Sequence, residues 1–141
     1  MTNSIIISAL TLIIGTLLYA ATETIIQEIN TQDQFDNFLK SNELAVVEFY
    51  NPTCPVCIAF KKKGIFEETA NALPNVKFAR VSSQSGSELH KKFEVQFYPT
   101  FIYFQQGNPL ITNGKIVKVQ GYVENPVFTR KVNEAFNSQL K

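Results

Sequence analysis

A chain of 141 residues can bury one hydrophobic core but not two, and its 45% apolar and 18% charged residues exclude a wholly disordered polymer. A formal charge of +1 supplies no bulk field that would gather nucleic acid or an anionic membrane. No nucleic-acid partner is therefore expected, and the run Lys61-Lys62-Lys63 reads as a solvated helix face.

The first element is set apart by its lack of charge. Ile5 to Ala21 carries no charged side chain, and its apolar core to Leu18 has the length of a signal-peptide h-region rather than of a membrane span. Ala20 and Ala21 supply small residues for cleavage, although no Lys or Arg precedes the run. The expectation is a signal peptide over residues 1–21 and one domain over 22–141. An uncleaved signal anchor is the alternative, and the only one that would place the chain on a membrane.

Ile25 to Ile29 predicts a short strand. Thr31 with Gln34 has capping-box spacing and opens a helix that puts Phe35, Phe38 and Leu39 on one face. Leu44 to Tyr50 is a buried strand interrupted by Glu48, and Asn51-Pro52-Thr53 is a turn. A helix is predicted from Cys54-Pro55 to about Leu73, bent at Gly64. Val76 to Val81 is a third strand, Ser85 to Phe93 a short polar helix, and Thr100 to Phe104 a fourth strand. A loop with Gly107-Asn108-Pro109 and Asn113-Gly114 leads to a fifth strand, Lys115 to Gln120, ended by Gly121. A last helix is predicted from Pro126 to Leu140, with Val127, Val132, Phe136 and Leu140 inward. This β-α-β-α-β-α-β-β-α order implies an α/β domain, a mixed central sheet of about five strands flanked by helices on both faces.

The chain has two cysteines, Cys54 and Cys57, too close together to restrain the unfolded chain by a cross-link, so the pair reads as chemical rather than architectural. At a helix start, unpaired N–H groups and the positive end of the dipole favour an anion, so Cys54 is the expected thiolate nucleophile. Cys57 lies one turn on, where it can attack a mixed disulfide formed at Cys54 and release the product. Pro55 removes one N–H donor from that turn.

These residues resemble the thioredoxins and protein disulfide isomerase domains over roughly Ile25 to Lys141. Val47-Glu48-Phe49-Tyr50-Asn51-Pro52-Thr53-Cys54-Pro55-Val56-Cys57 is similar to the isomerase-type strand and active-site turn. Tyr98-Pro99-Thr100 is similar to the cis-proline loop, Phe104 with Gln106-Gly107 to the strand and turn that follow, and Gly121 to the glycine closing the last strand. The two anchors at family-like separation are far more specific than either alone. The resemblance implies a thioredoxin fold and a thiol–disulfide oxidoreductase that cycles a Cys54–Cys57 disulfide with protein thiols, protein disulfides and a separate redox partner. It maps Glu48 to a buried acid that relays the Cys57 proton, against the alternative of an edge-facing, solvated carboxylate. Arg80 falls where a basic partner of that acid is often kept, against the alternative of a surface arginine. Pro99 is expected to be cis and to leave the Tyr98 backbone for a substrate strand, against a trans turn proline.

The departures are as specific. Thr53 stands where the family usually has tryptophan, so the substrate-facing surface of Thr53, Pro55 and Val56 is smaller and more polar. Pro-Val replaces Gly-Pro or Gly-His, the usual helix-kinking proline is missing, and the hairpin from Gly107 to Lys115 is longer. His90, the only histidine, is expected to be solvated beside Lys91 and Lys92.

Two other classes stay open: a binding or chaperone module with little turnover, and an intersubunit metal or iron–sulfur site. Two thiolates supply half of the roughly four ligands that a closed site needs, so no metal or cofactor is expected. The domain is expected to act as a monomer in a secretory lumen or outside the cell. The bacterial periplasm or a signal-anchored location are the alternatives.

Overall fold

Strand-forming runs and amphipathic segments alternate along the chain, and in the computed structural model, which describes residues 25–138, they assemble into one main sheet with helices on both faces. The elements in order are β1 (Ile26–Ile29), α1 (Gln32–Ser41), β2 (Leu44–Tyr50), α2 (Pro55–Lys62), α3 (Ile65–Ala72), β3 (Lys77–Ser82), α4 (Ser87–Lys92) and β4 (Thr100–Gln105). They continue with β5 (Asn108–Pro109), β6 (Ile111–Thr112), β7 (Lys115–Ile116), β8 (Lys118–Gln120) and α5 (Val127–Asn137). The expected signal segment lies outside the described residues.

The sheet runs β1-β3-β2-β4, with β5 and β8 sharing the outer side of β4. β3 is parallel to both β1 and β2, whereas β4 is antiparallel to β2. β2 is therefore central, paired on both sides, and five of its seven residues are buried. Because strand side chains alternate between faces, the sheet holds two cores. Val46, Phe78 and Phe101 pack under α2, α3 and α5 with Phe60, Phe66 and Phe128. Val47, Phe49, Val81 and Phe104 pack under α1 and α4 with Phe35, Phe38 and Leu89. Glu48 and Arg80 fall on the first of these faces.

Three expectations are corrected. The predicted long helix is two helices, because Gly64 adopts φ +67 and the chain turns there before Ile65. The predicted fifth strand is also two pieces. β7 folds back on β6 through the two-residue turn Asn113-Gly114, both at positive φ, while β8 pairs with β4.

The third correction concerns the last helix. It buries Phe128, Val132 and Phe136, while Val127 is 37% exposed; Leu140 lies outside the described residues. Stepping back by fours from Phe136 and Val132 reaches Phe128, whereas Val127 falls off that stripe.

Candidate active site

The turn between β2 and α2 is built by Asn51. Its carbonyl accepts from the Cys54 N–H at 3.1 Å, and its side-chain oxygen accepts from the Thr53 N–H at 2.9 Å and the Thr53 hydroxyl at 2.8 Å. This Asx-type turn delivers Cys54 to the N-cap position of α2, with Pro55 in the first helical turn as expected. Thr53, Pro55 and Val56 are exposed around it.

The two thiols differ in environment. Both are free; Cys54 is half-buried and Cys57 is 3% exposed. No capping hydrogen bond is closed to the Cys54 sulfur, but the N–H groups of Cys57 and, less strongly, Val56 hold its pKa below the ordinary thiol value. The Cys54 thiol donates a long hydrogen bond, 3.9 Å, to the Tyr98 carbonyl, which brings the two halves of the motif together. Burial pushes the Cys57 thiol up to about 12, and the charges of Cys54 and Glu48 act in the same direction.

Tyr98–Pro99 is a cis peptide bond, with Pro99 buried and Tyr98 half-buried beside Cys54. The loop is tied to the sheet by the Gly121 N–H, which donates to the Pro99 carbonyl at 2.8 Å, and by the Thr100 hydroxyl, which donates to the Phe97 carbonyl at 2.7 Å. Phe97, one residue before Tyr98, is 60% exposed. The sequence reading missed it, since nothing in the run Gln96-Phe97-Tyr98 shows which of the two aromatics stays exposed.

Beneath α2 lies a buried charge cluster. Glu48 is 2% exposed on the central strand, so it is not an edge-facing carboxylate, and Arg80 at 4% is not a surface arginine. The two are opposite each other in the β2–β3 register, and Arg80 Nε donates to Glu48 Oε2 at 2.5 Å. Arg80 Nη1 donates to Glu67 Oε1 at 2.7 Å, and its guanidinium carbon sits 5.1 Å from the centre of the Phe66 ring. Burial raises the pKa of Glu48 above the usual carboxylate range, against the lowering pull of Arg80, and Glu67 adds to the rise. Sequence reasoning missed Glu67, which lay inside the single long helix predicted there and carried no signal of its own; in the structure it stands in the first turn of α3.

His90 is also corrected. It is 6% exposed, its Nε2 hydrogen-bonds the Val81 carbonyl at 3.0 Å, and its ring lies 5.1 Å from that of Phe49 and 5.6 Å from that of Tyr98. The polar neighbours Lys91 and Lys92 do face outward, but α4 turns Leu89 and His90 together toward the sheet. Burial lowers the His90 pKa, so this ring is a neutral wall behind the Tyr98 loop.

Comparison with known proteins agrees with this geometry. Protein disulfide-isomerase 1 of Caenorhabditis elegans is 35% identical over 83 residues, covering 56% of this chain and 17% of that protein. Glutaredoxin-3 of Homo sapiens is 29% identical over 115 residues, covering 80% of this chain and 32% of that protein. The chain thus spans a third or less of the length of these relatives. Among solved structures, mitochondrial thioredoxin 3 from Saccharomyces cerevisiae, in its oxidised form, superposes with a TM-score of 0.66 at 21% identity, covering 77% of this chain and 94% of that one. Thioredoxin from Trypanosoma brucei brucei gives 0.65 at 27% identity, covering 80% and 91%. The Thioredoxin family profile matches residues 26–134, a span that holds the whole β2–α2 turn, the charge cluster and the proline loop. With its Cys-x-x-Cys pair at a helix start beside a cis-proline, this chain belongs to the thioredoxin family.

Proposed function

We propose that the protein is a thiol–disulfide oxidoreductase that exchanges disulfides with protein substrates through Cys54 and Cys57. The observation that carries this reading is the opposed environment of the two sulfurs: one half-exposed at a helix N-terminus with a lowered pKa, the other sealed with a raised one. The same reading was drawn from the sequence. The protein disulfide-isomerase and glutaredoxin relatives support it.

The Cys54 thiolate attacks one sulfur of a substrate disulfide, the substrate S–S bond breaks, and the leaving substrate thiolate takes a proton from solvent. A mixed disulfide now joins Cys54 to the substrate. Cys57 gives its proton to the Glu48 carboxylate, directly or through water, and attacks the Cys54 sulfur. The Cys54–Cys57 disulfide forms as the second substrate thiolate leaves. The substrate has gained two electrons and the protein has lost them; a separate redox partner restores the dithiol, and with an oxidising partner the same steps run backwards. Arg80 holds Glu48 in place and offsets part of its charge. The Tyr98-Pro99 loop lies against the substrate backbone, with Thr53, Pro55 and Val56 on the facing side. The setting we propose is a secretory lumen or the cell exterior, entered through residues 1–21 as a signal peptide, with the domain acting as a monomer.

The test is trapping with Cys57→Ser. This variant should accumulate mixed disulfides through Cys54 that survive non-reducing electrophoresis, while the parent reduces insulin. A parent protein that binds partners without reducing insulin would be a binding module instead, and trapping by Cys54→Ser alone would reverse the two roles.

A further inference from the structure

The charge cluster under Cys57 contains one cation and two carboxylates. Arg80 spends Nε on Glu48 and Nη1 on Glu67, and its Nη2 has no partner among the described residues. The Phe66 ring flanks the guanidinium. Its position between the two acids is therefore defined on three sides. The acids differ in contact with water: the Glu67 side chain is 36% exposed, that of Glu48 only 2%. A single positive charge divided in this way cannot fully offset either carboxylate, and the shortfall weighs most on the one that solvent cannot reach.

We propose that Glu67 is a positioning residue that draws part of the Arg80 charge away from Glu48, and so keeps the Glu48 carboxyl able to hold and release a proton beside Cys57. A carboxylate tied to an arginine of its own would be a poor base, because the ion pair favours its ionised form too strongly. Sharing the arginine leaves it a better one. The other ionisable groups facing Glu48 are Cys57 from α2, Glu28 from β1 and Tyr50 from its own strand. From β4 its register partner is Phe101, which contributes no charge. Glu67 differs from all of these: it touches Arg80 from α3 and can be altered without touching either cysteine. The consequence for the resolving step rests on the functional reading above; the titration of Glu48 does not.

The experiment follows the Glu48 side-chain carboxyl by carbon NMR against pH in the full-length reduced protein, its Glu67→Gln variant and its Glu67→Asp variant. Glutamine keeps an oxygen for the Nη1 hydrogen bond and removes the charge; aspartate keeps the charge. In Glu67→Gln the Glu48 midpoint should move to lower pH. Where the parent has as much ionised as protonated Glu48, the variant should have roughly three times as much or more. Glu67→Asp should titrate close to the parent, and the pH profile of mixed-disulfide resolution should move with the carboxyl in each protein. An unmoved Glu48 midpoint in a folded Glu67→Gln protein overturns the proposal, as would an equal displacement in Glu67→Asp. A parent that fails to exchange disulfides refutes the functional reading instead, a result the NMR titration does not depend on.

Discussion

Cys54 and Cys57 are the same side chain three positions apart, and their surroundings drive them in opposite directions. Helix N–H groups lower the first and burial raises the second to about 12. At pH 7 iodoacetamide should therefore alkylate Cys54 at least about tenfold faster than Cys57, measured by peptide mapping of the reduced protein. Glu48 yields a prediction in which activity and stability change in opposite directions. Removing its ionisation in Glu48→Gln should slow resolution by roughly a hundredfold or more, as loss of a proton acceptor does, and leave the first attack by Cys54 little changed. Burial raises the folded-state pKa of Glu48 above 4.5, so the folded protein prefers the protonated acid, and ionisation counts against folding as pH rises through that raised value. Glu48→Gln should accordingly unfold at higher denaturant than the parent at pH 8. The gap should close as pH falls below the ordinary carboxylate value of 4.5.

At the scale of elements, the break between α2 and α3 is made by one residue. Gly64 sits at φ +67, and among the described residues, its chain neighbours aside, no atom lies within 4 Å of where a Cβ would be, so the cost of a side chain there is conformational and not steric. Gly64→Ala should destabilise the domain by about 1 kcal/mol, read from equilibrium denaturation. Its effect on Cys54 alkylation should be small, since the cysteines lie at the far end of α2. This break was half legible in the sequence: a glycine inside a helical pattern signals weakness, but whether the chain bends or stops depends on what packs on either side. Here Phe60 of α2 and Phe66 of α3 both enter the same core, 6.5 Å apart between ring centres, and the chain must turn to place both. The Asn113-Gly114 hairpin was hidden for a related reason, because its two-residue strands are too short to show alternation.

For the whole molecule, the sheet is a partition between two cores, and the aromatic cluster of Phe60, Phe66, Phe101 and Phe128 fills the one that carries α2 and the site. Phe128 is fully buried, with its ring centre 4.6 Å from that of Phe101. Phe128→Ala should cost roughly 3–5 kcal/mol of unfolding free energy, as a buried aromatic truncation does. Val127→Ala should stay within about 0.5 kcal/mol, as exposed positions do. Equal losses at the two positions would restore the inward Val127 that helical spacing from Pro126 had predicted.

The amino-acid sequence alone established the alternation of strands and helices, apart from the breaks at Gly64 and between β7 and β8, and the turn that starts α2 at Cys54; the meeting of Cys-x-x-Cys with the Tyr98-Pro99 loop came through the family resemblance. The strands, the turn and the helix start are local: β-branched runs make strands, Asn-Pro-Thr makes a turn, and proline in a first turn starts a helix. It also marked Glu48, because a lone carboxylate in an apolar strand is conspicuous. The resemblance had pointed to Arg80 as its partner, but the full set of groups around it came from packing in three dimensions. Strand pairing sets Arg80 across from it, α3 brings Glu67 onto the same guanidinium, and α4 turns His90 inward behind Tyr98. Those contacts join residues 13 or more positions apart along the chain, or, for His90, depend on which side of a six-residue helix meets the sheet. Neither is encoded in spacing, since the energy that selects them is the burial of two whole faces at once.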